Sequence, residues 1–193
     1  MKARDLILRI LQVRPNLPTT RLAKLCYLFD LACVQLLGKQ KTELPYEWRY
    51  YGPHCVELER AVWDLKEAGK IKIEVYRTEK QYDCYLHSAI DNKPPELSKT
   101  EAKILEYIIL RFSEVSTEKL LEFVYSTPPM VEAQHKKQQF HKLNMKSKEG
   151  ISARLLDPDT AKMVLAARED IKNRKTSSLD TFLKKWEHQK VSV

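Results

Sequence analysis

Apolar residues recur at helical spacing through the first part of the chain. In residues 2–13 they fall at every third or fourth position, and two prolines then interrupt the pattern. A second helical pattern follows, for which Thr19 or Thr20 can supply the cap. This pattern reaches about Leu37, and Gly38 provides a left-handed stop. The sequence therefore predicts two helices joined by a short turn.

The next stretch changes from helical to extended spacing. Residues 44–51 are rich in aromatic side chains and predict a short strand. Gly52 and Pro53 then open a third predicted helix over residues 53–68, because proline is tolerated at the first helical position, where an N–H would be unpaired anyway.

The elements after the third helix are also predicted from short local patterns of residues. Residues 71–75 and 82–86 alternate between apolar and polar types and predict an antiparallel hairpin. Ser98 and Glu101 form a capping box at the start of a further helix, and Ser116 can cap the one after it. We expect a mainly α protein with a small antiparallel β-sheet, an α+β fold with a winged-helix-like element order followed by additional helices.

The chain changes in charge towards its C-terminus. Residues 1–133 contain 20 basic and 19 acidic residues, whereas residues 134–193 contain 14 and 7. The basic part opens with a polar, lysine-rich stretch and continues with helical patterns over 157–173 and from Ser178. We therefore predict a domain over 1–133 and a basic helical extension over 134–193.

The chain lacks the signals of membrane or secreted proteins. It has no run of 18 uncharged apolar residues, and the apolar residues near its N-terminus are interrupted by Arg9. Its four cysteines form no Cys-x-x-Cys pair, and Cys26 and Cys33, which share one helix face, are predicted to be small buried apolar groups and not disulfides or metal ligands. A cytoplasmic protein is expected, with no membrane partner.

The winged-helix element order raises the question of DNA binding. In such a module the helix after the turn enters the major groove. Here that helix, residues 53–68, carries four acidic and two basic side chains, so carboxylates would face the phosphates. A DNA-binding regulator is therefore the alternative function. Its contacts would come from the hairpin tip and the basic extension, at Arg77, Lys80, Lys136, Lys137, Lys142, Lys146 and Lys148.

Groups that could carry catalysis are scattered. The four glycines cannot form a phosphate-binding loop. His54 and Cys55 are adjacent, but neighbouring residues on a helix point about 100° apart and cannot act as a nucleophile and its base. We therefore expect no catalytic residue, no metal and no cofactor, and a function in binding.

Four stretches resemble the Panacea domain, the SocA-like antitoxin family. They are KLCYLFD at 24–30, YYGPHCVEL at 50–58, the helix exit GKI at 69–71 and the proline-containing YSTPP at 125–129. The resemblance covers roughly residues 5–130. It implies a helical domain with a small sheet that acts in many relatives as the antitoxin of a toxin–antitoxin pair. Such relatives bind a toxin directly or, in some cases, deliver it to a protease.

The same stretches supply a candidate partner-binding site. Trp48, Tyr50 and Tyr51 lie beside a Gly-Pro turn and form an aromatic cluster of the kind that anchors protein interfaces. Alternatively, these rings pack the third helix onto the hairpin. Lys24 and Asp30 are expected on the polar flanks of the second helix. The candidate partner-binding residues are Lys24, Tyr27, Asp30, Trp48, Tyr50, Tyr51, Gly52, Pro53 and Glu57. The partner would be a protein, such as a toxin encoded nearby, and self-association stays open.

Overall fold

The computed structural model describes residues 1–78, 81–90 and 96–148. Within those ranges the chain is mainly helical with small antiparallel sheets, which confirms the expected fold class. In chain order the elements are α1 (Ala3–Val13), β1 (Leu17–Pro18), α2 (Thr19–Leu37), β2 (Glu47–Arg49), β3 (Gly52–His54), α3 (Val56–Glu67), β4 (Ile71–Arg77), β5 (Asp83–Ala89), α4 (Lys99–Phe112), α5 (Thr117–Tyr125) and α6 (Pro128–His135).

The strands form two separate antiparallel sheets. One has three strands in the order β1-β5-β4, and its β4–β5 pair is the hairpin that the alternating pattern predicts. The short β1 strand between α1 and α2 pairs with β5 through Leu17 and His87. The other sheet is the β2–β3 hairpin. The winged-helix likeness itself stays a prediction.

Helix α2 lies at the centre of the fold. Every residue from Lys24 to Cys33 is buried, as in a helix that is covered on all sides. Its last turn ends at Gly38 in the predicted left-handed conformation, with a φ of 76°. The predicted threonine cap is wrong, because Pro18 occupies the N-cap in extended conformation and no side chain caps the helix.

The third helix begins later than the sequence predicts. Residues Gly52–His54 form β3, and α3 starts at Val56 with Cys55 as its N-cap. The reason is the conformation of Gly52, whose φ of 88° reverses the chain and directs Pro53 into antiparallel pairing with β2. A proline fits an edge strand as well as the first turn of a helix.

The lysine-rich stretch after α6 returns to the domain. Its Phe140 backbone N–H donates to the Trp48 carbonyl at 2.7 Å, and the Leu143 N–H donates to the Tyr46 carbonyl at 2.7 Å. The Leu143 side chain is buried. The predicted extension thus starts with residues that pack along β2. The helices predicted over 157–173 and from Ser178 lie outside the described residues.

Candidate functional site

Three polar residues of α2 lie inside the protein. Lys24 has only 4% of its surface exposed, and Tyr27 and Asp30 are fully buried. The expectation that Lys24 and Asp30 occupy polar flanks is wrong, because α2 is covered on all sides and has no polar flank over this stretch. Tyr27 and Asp30 therefore lack the exposed face that the binding hypothesis requires, and Lys24 is accessible only where it lines the cleft described below.

Lys24 joins α2 to the Tyr-Gly-Pro turn. Its Nζ donates to the Pro53 carbonyl at 2.6 Å. Burial lowers the pKa of Lys24 to about 8. No carboxylate pairs with this ammonium anywhere in the described ranges. The side chain therefore fixes the β3 backbone while its charge stays uncompensated.

Tyr27 joins α2 to the proline-containing segment that follows α5. Its hydroxyl lies 2.7 Å from Thr127 Oγ1, and that threonine donates its own proton to the Val124 carbonyl at 2.6 Å. The tyrosine is therefore the donor in the first bond. Burial of its ring raises the pKa of Tyr27. This contact holds the start of α6 against the centre of the fold.

Asp30 closes the loop between α2 and β2. Its carboxylate accepts hydrogen bonds from the backbone N–H groups of Lys41 and Thr42, both at 3.1 Å. It also accepts a hydrogen bond from the side-chain hydroxyl of Tyr46 at 3.0 Å. The Thr42 hydroxyl also donates to it. Burial raises the pKa of Asp30, although these donors act in the opposite direction. The carboxylate thus satisfies polar groups of the loop that would otherwise be buried without partners.

The signal for this burial was present in the sequence. Residues 24–33 contain apolar side chains on every side of the predicted helix, so Lys24 and Asp30 are isolated polar positions in an apolar stretch. A helix with apolar residues all round is buried, and its few polar groups then require internal partners.

In contrast to the buried polar residues of α2, the two tyrosines beside the Gly-Pro turn lie on the surface. Tyr50 and Tyr51 link β2 to β3, and their exposed fractions are 74% and 72%. The Tyr125 hydroxyl donates to the Tyr50 carbonyl at 3.3 Å, and the Tyr50 ring meets Phe140 edge-on at 5.5 Å between centroids. The interpretation that both rings pack α3 onto the hairpin is therefore wrong. Trp48 is half-buried beside the returning segment.

A cleft of about 540 Å³ opens between the start of α2, the β2–β3 hairpin, α3 and the β4–β5 sheet. Lys24, Gly52 and Pro53 line it, together with exposed aromatic rings from three different elements. These rings are Tyr50 and Tyr51 of the turn, Trp63 of α3 and Tyr85 of β5. Sequence reasoning missed Trp63 and Tyr85, because only the fold brings them to the turn.

The other polar side chains described below contact neighbouring groups of the protein. His54 Nδ1 lies 3.7 Å from the Glu59 carboxylate, and Arg49 donates to Glu47 at 3.1 Å. Burial lowers the pKa of His87, and its Nδ1 lies 3.1 Å from the Leu17 carbonyl. The cleft therefore combines aromatic walls and the Arg49–Glu47 ion pair with the ammonium of Lys24, which pairs with no carboxylate of the described residues.

The remaining predicted contact residue, Glu57, is exposed on the first turn of α3. It accepts a hydrogen bond from the Cys55 thiol at 3.2 Å and does not line the cleft. Cys26 and Cys33 are buried free thiols, as the sequence predicts; Cys55 is also a buried free thiol, and Cys84 is a half-buried one. No group of three metal-ligating side chains occurs among the residues that the structure describes. No helix in that part of the chain is long and apolar enough to span a bilayer.

Two of the predicted nucleic-acid contact residues form ion pairs within the protein. Arg77 pairs with Asp83 at 3.2 Å, and Lys136 pairs with Glu132 at 2.6 Å. Lys80 lies outside the described residues. The other predicted lysines, Lys137, Lys142, Lys146 and Lys148, are exposed. The four acidic residues of α3, Glu57, Glu59, Asp64 and Glu67, are exposed as predicted. DNA binding stays a prediction.

The comparison with protein families agrees with the motif resemblance. A family model described as "Antitoxin SocA-like, Panacea domain" matches residues 22–129. No curated protein and no solved structure matched the chain. The matched range runs from the buried part of α2 to the start of α6, so it contains every segment that Lys24, Tyr27 and Asp30 hold together. Because the match covers more than half of the chain, this protein belongs to the family of SocA-like antitoxins with a Panacea domain.

Proposed function

We propose that this protein neutralises a toxin by direct binding, with the cleft and its aromatic rim as the contact surface. The rim consists of Tyr50, Tyr51 and Trp63. The observation that carries the proposal is the exposure of more than 70% of both tyrosines on a turn whose backbone is fixed. Aromatic side chains are enriched among the residues that dominate binding energies at interfaces.

Side chains of α2 and α5 hold the Tyr-Gly-Pro turn in place. A Cβ added at Gly52 would meet Val124 at 3.5 Å, Tyr125 at 3.7 Å and Lys24 at 3.8 Å, so these side chains lie against the turn with room for only about one methyl group between them and the glycine. Rings on a backbone that is already ordered lose little conformational entropy on binding. The turn therefore presents Tyr50 and Tyr51 in a preorganised arrangement.

The charge of the neighbouring helix favours a polypeptide as the partner. Trp63 is 54% exposed on the same helix that exposes Glu59 and Asp64. Carboxylates repel a phosphate backbone, whose neutralisation supplies most nucleic-acid affinity. A protein surface can meet the same helix with cations and apolar groups.

Co-expression tests the proposal. The toxin-like gene nearest to this one would be expressed alone and together with this protein, and growth would be measured. We expect rescue by the natural protein and loss of rescue with Tyr51→Ala, for which the Kd for the purified toxin should rise roughly tenfold or more. The matched control is Tyr82→Ala, which removes a tyrosine that is 70% exposed, precedes β5 and does not line the cleft.

Two results would contradict direct binding through this surface. One is rescue that Tyr51→Ala and Tyr82→Ala affect equally. The other is rescue without any complex between the purified proteins, accompanied by salt-sensitive binding of this protein to the promoter DNA. The second result would support the DNA-binding regulator instead.

A further inference from the structure

Lys24 is an unusual group to find in the wall of a cleft. It is 96% buried and its ammonium has three donors, of which the Pro53 carbonyl takes one. A buried charge without a partner of opposite sign is costly, and proteins normally pair such groups. The protein without a bound partner therefore already bears the free-energy cost of this buried, unpaired charge.

Among the residues that the structure describes, no carboxylate of the protein pairs with Lys24. Glu59 is the acidic residue that lines the cleft, and it lies against His54. Arg49 is already occupied by Glu47. The pKa of Lys24, about 8, lies above neutral pH, so the side chain keeps its positive charge there. None of the described lining residues supplies a carboxylate that pairs with this charge.

We propose that the cleft receives an acidic side chain of the partner protein, an Asp or Glu whose carboxylate pairs with Lys24. Apolar side chains next to that acid cover Tyr51 and Trp63. This inference rests on the proposed function and adds to it the chemistry of the bound segment: a carboxylate flanked by apolar residues.

Physical arguments favour this occupant. The aromatic rim keeps water from the buried ammonium once a segment is bound, and an ion pair is stronger where water is excluded. The lysine has also already lost most of its hydration on folding, so its desolvation is not a new cost of binding. An amide in place of the acid would leave the charge unpaired, which makes the site selective for the carboxylate.

Peptide selection provides the first part of the test. A library of random peptides, tethered at both ends, would be selected for binding to the full chain. Selected peptides would then be synthesised with acetylated and amidated ends, so that only side chains carry carboxylates. We expect an Asp or Glu beside an aliphatic or aromatic residue, and roughly tenfold or more weaker binding when that acid is replaced by its amide.

Variants of Lys24 provide the second part. Lys24→Gln keeps a donor near the Pro53 carbonyl but removes the charge, so the acid and amide peptides should bind it equally. Lys24→Arg keeps the charge and should retain the preference for the acid. Lys72→Gln, a change at an exposed lysine of β4, is the matched control and should leave the preference unchanged. Thermal unfolding of each variant shows that the fold is intact.

Several outcomes would overturn the inference. They are peptides that require Tyr51 but contain no acid, an acid preference that survives Lys24→Gln, binding that requires a free C-terminal carboxylate, and displacement of the peptide by inorganic phosphate. Toxin rescue that fails with Tyr51→Ala but persists with Lys24→Gln would overturn this inference alone. Rescue that neither substitution affects would count against the proposed function as well.

Discussion

The polar residues of α2 and the tyrosines of the Tyr-Gly-Pro turn both lie within the range that matches the family, but they have opposite environments. Lys24, Tyr27 and Asp30 are buried and hydrogen-bonded to distant segments, whereas Tyr50 and Tyr51 are exposed. Motif membership therefore does not distinguish residues that build the scaffold from residues that are free to contact a partner. Burial separates the two groups, although Lys24 also lines the cleft and so has both a scaffold contact and the proposed contact with a partner.

The two groups should respond differently to substitution. Removal of a buried hydrogen-bonding group leaves its partners without water or protein contacts, so the free energy of unfolding falls. Truncation of an exposed ring leaves the folded and unfolded states almost equally solvated, so stability hardly changes. Stability measurements can thus separate the two groups without any knowledge of the partner.

The largest effect is expected for Asp30→Ala. The substitution leaves the Lys41 and Thr42 amides and the Tyr46 hydroxyl without their acceptor, and we expect a loss of about 3 kcal/mol in the free energy of unfolding. Urea unfolding measures this loss. The control is Asp64→Ala, which removes an exposed acid and should cost about 0.5 kcal/mol or less. Equal effects of the two substitutions would refute the scaffold role of Asp30.

Lys24 should make the free energy of unfolding depend on pH, with an effect of intermediate size. The folded protein releases this proton near pH 8, the pKa that burial imposes, whereas the unfolded chain keeps it until near 10.5. The unfolded state therefore binds more protons in this window, and stability should rise with pH there by up to about 1.4 kcal/mol per pH unit.

The comparison of the natural protein with Lys24→Met isolates this contribution. Cysteines and tyrosines also titrate at alkaline pH, but they are the same in both proteins and cancel in the difference. Urea unfolding at several values between about pH 7 and 9.5 should show the natural protein gaining stability relative to the variant. A constant difference across this range would show that Lys24 has an ordinary pKa.

The smallest effect is expected for removal of a single hydroxyl. Tyr27→Phe deletes the bond to Thr127 and should cost about 1 kcal/mol, seen as a lower Tm. Tyr51→Phe removes a hydroxyl from a ring that is 72% exposed and should leave the Tm unchanged. If Tyr51→Phe proved the more destabilising, the contrast between the two tyrosines would be lost.

Elements set by local interactions could be predicted from the sequence. The capping box at Ser98, the stop at Gly38 and the β4–β5 hairpin all depend on neighbouring residues and follow the expected pattern. Gly52 and Pro53 show the limit of this reasoning. Their residue types suit a helix start and a tight hairpin equally well, and the packing of Gly52 on α5 favours the hairpin.

The candidate site required the three-dimensional fold. The Tyr-Gly-Pro turn was identified from sequence, but Trp63 and Tyr85 join it only through the packing of α3 and β5 around the cleft. The return of residues 140–143 to β2 is likewise a long-range contact that no local pattern indicates. Such contacts depend on how the helices and strands pack together, which local sequence patterns do not specify.

The attachment of three remote segments to one helix has a consequence for dynamics. Local opening of a protein occurs in units whose contacts are lost together. Residues 41–46, the Pro53 strand and Thr127 are all tied to α2, so loosening that helix would release them in a single cooperative event. We therefore expect the amides of the Tyr-Gly-Pro turn to exchange with solvent at a rate close to that of the α2 amides, because the turn is anchored to the protein's centre.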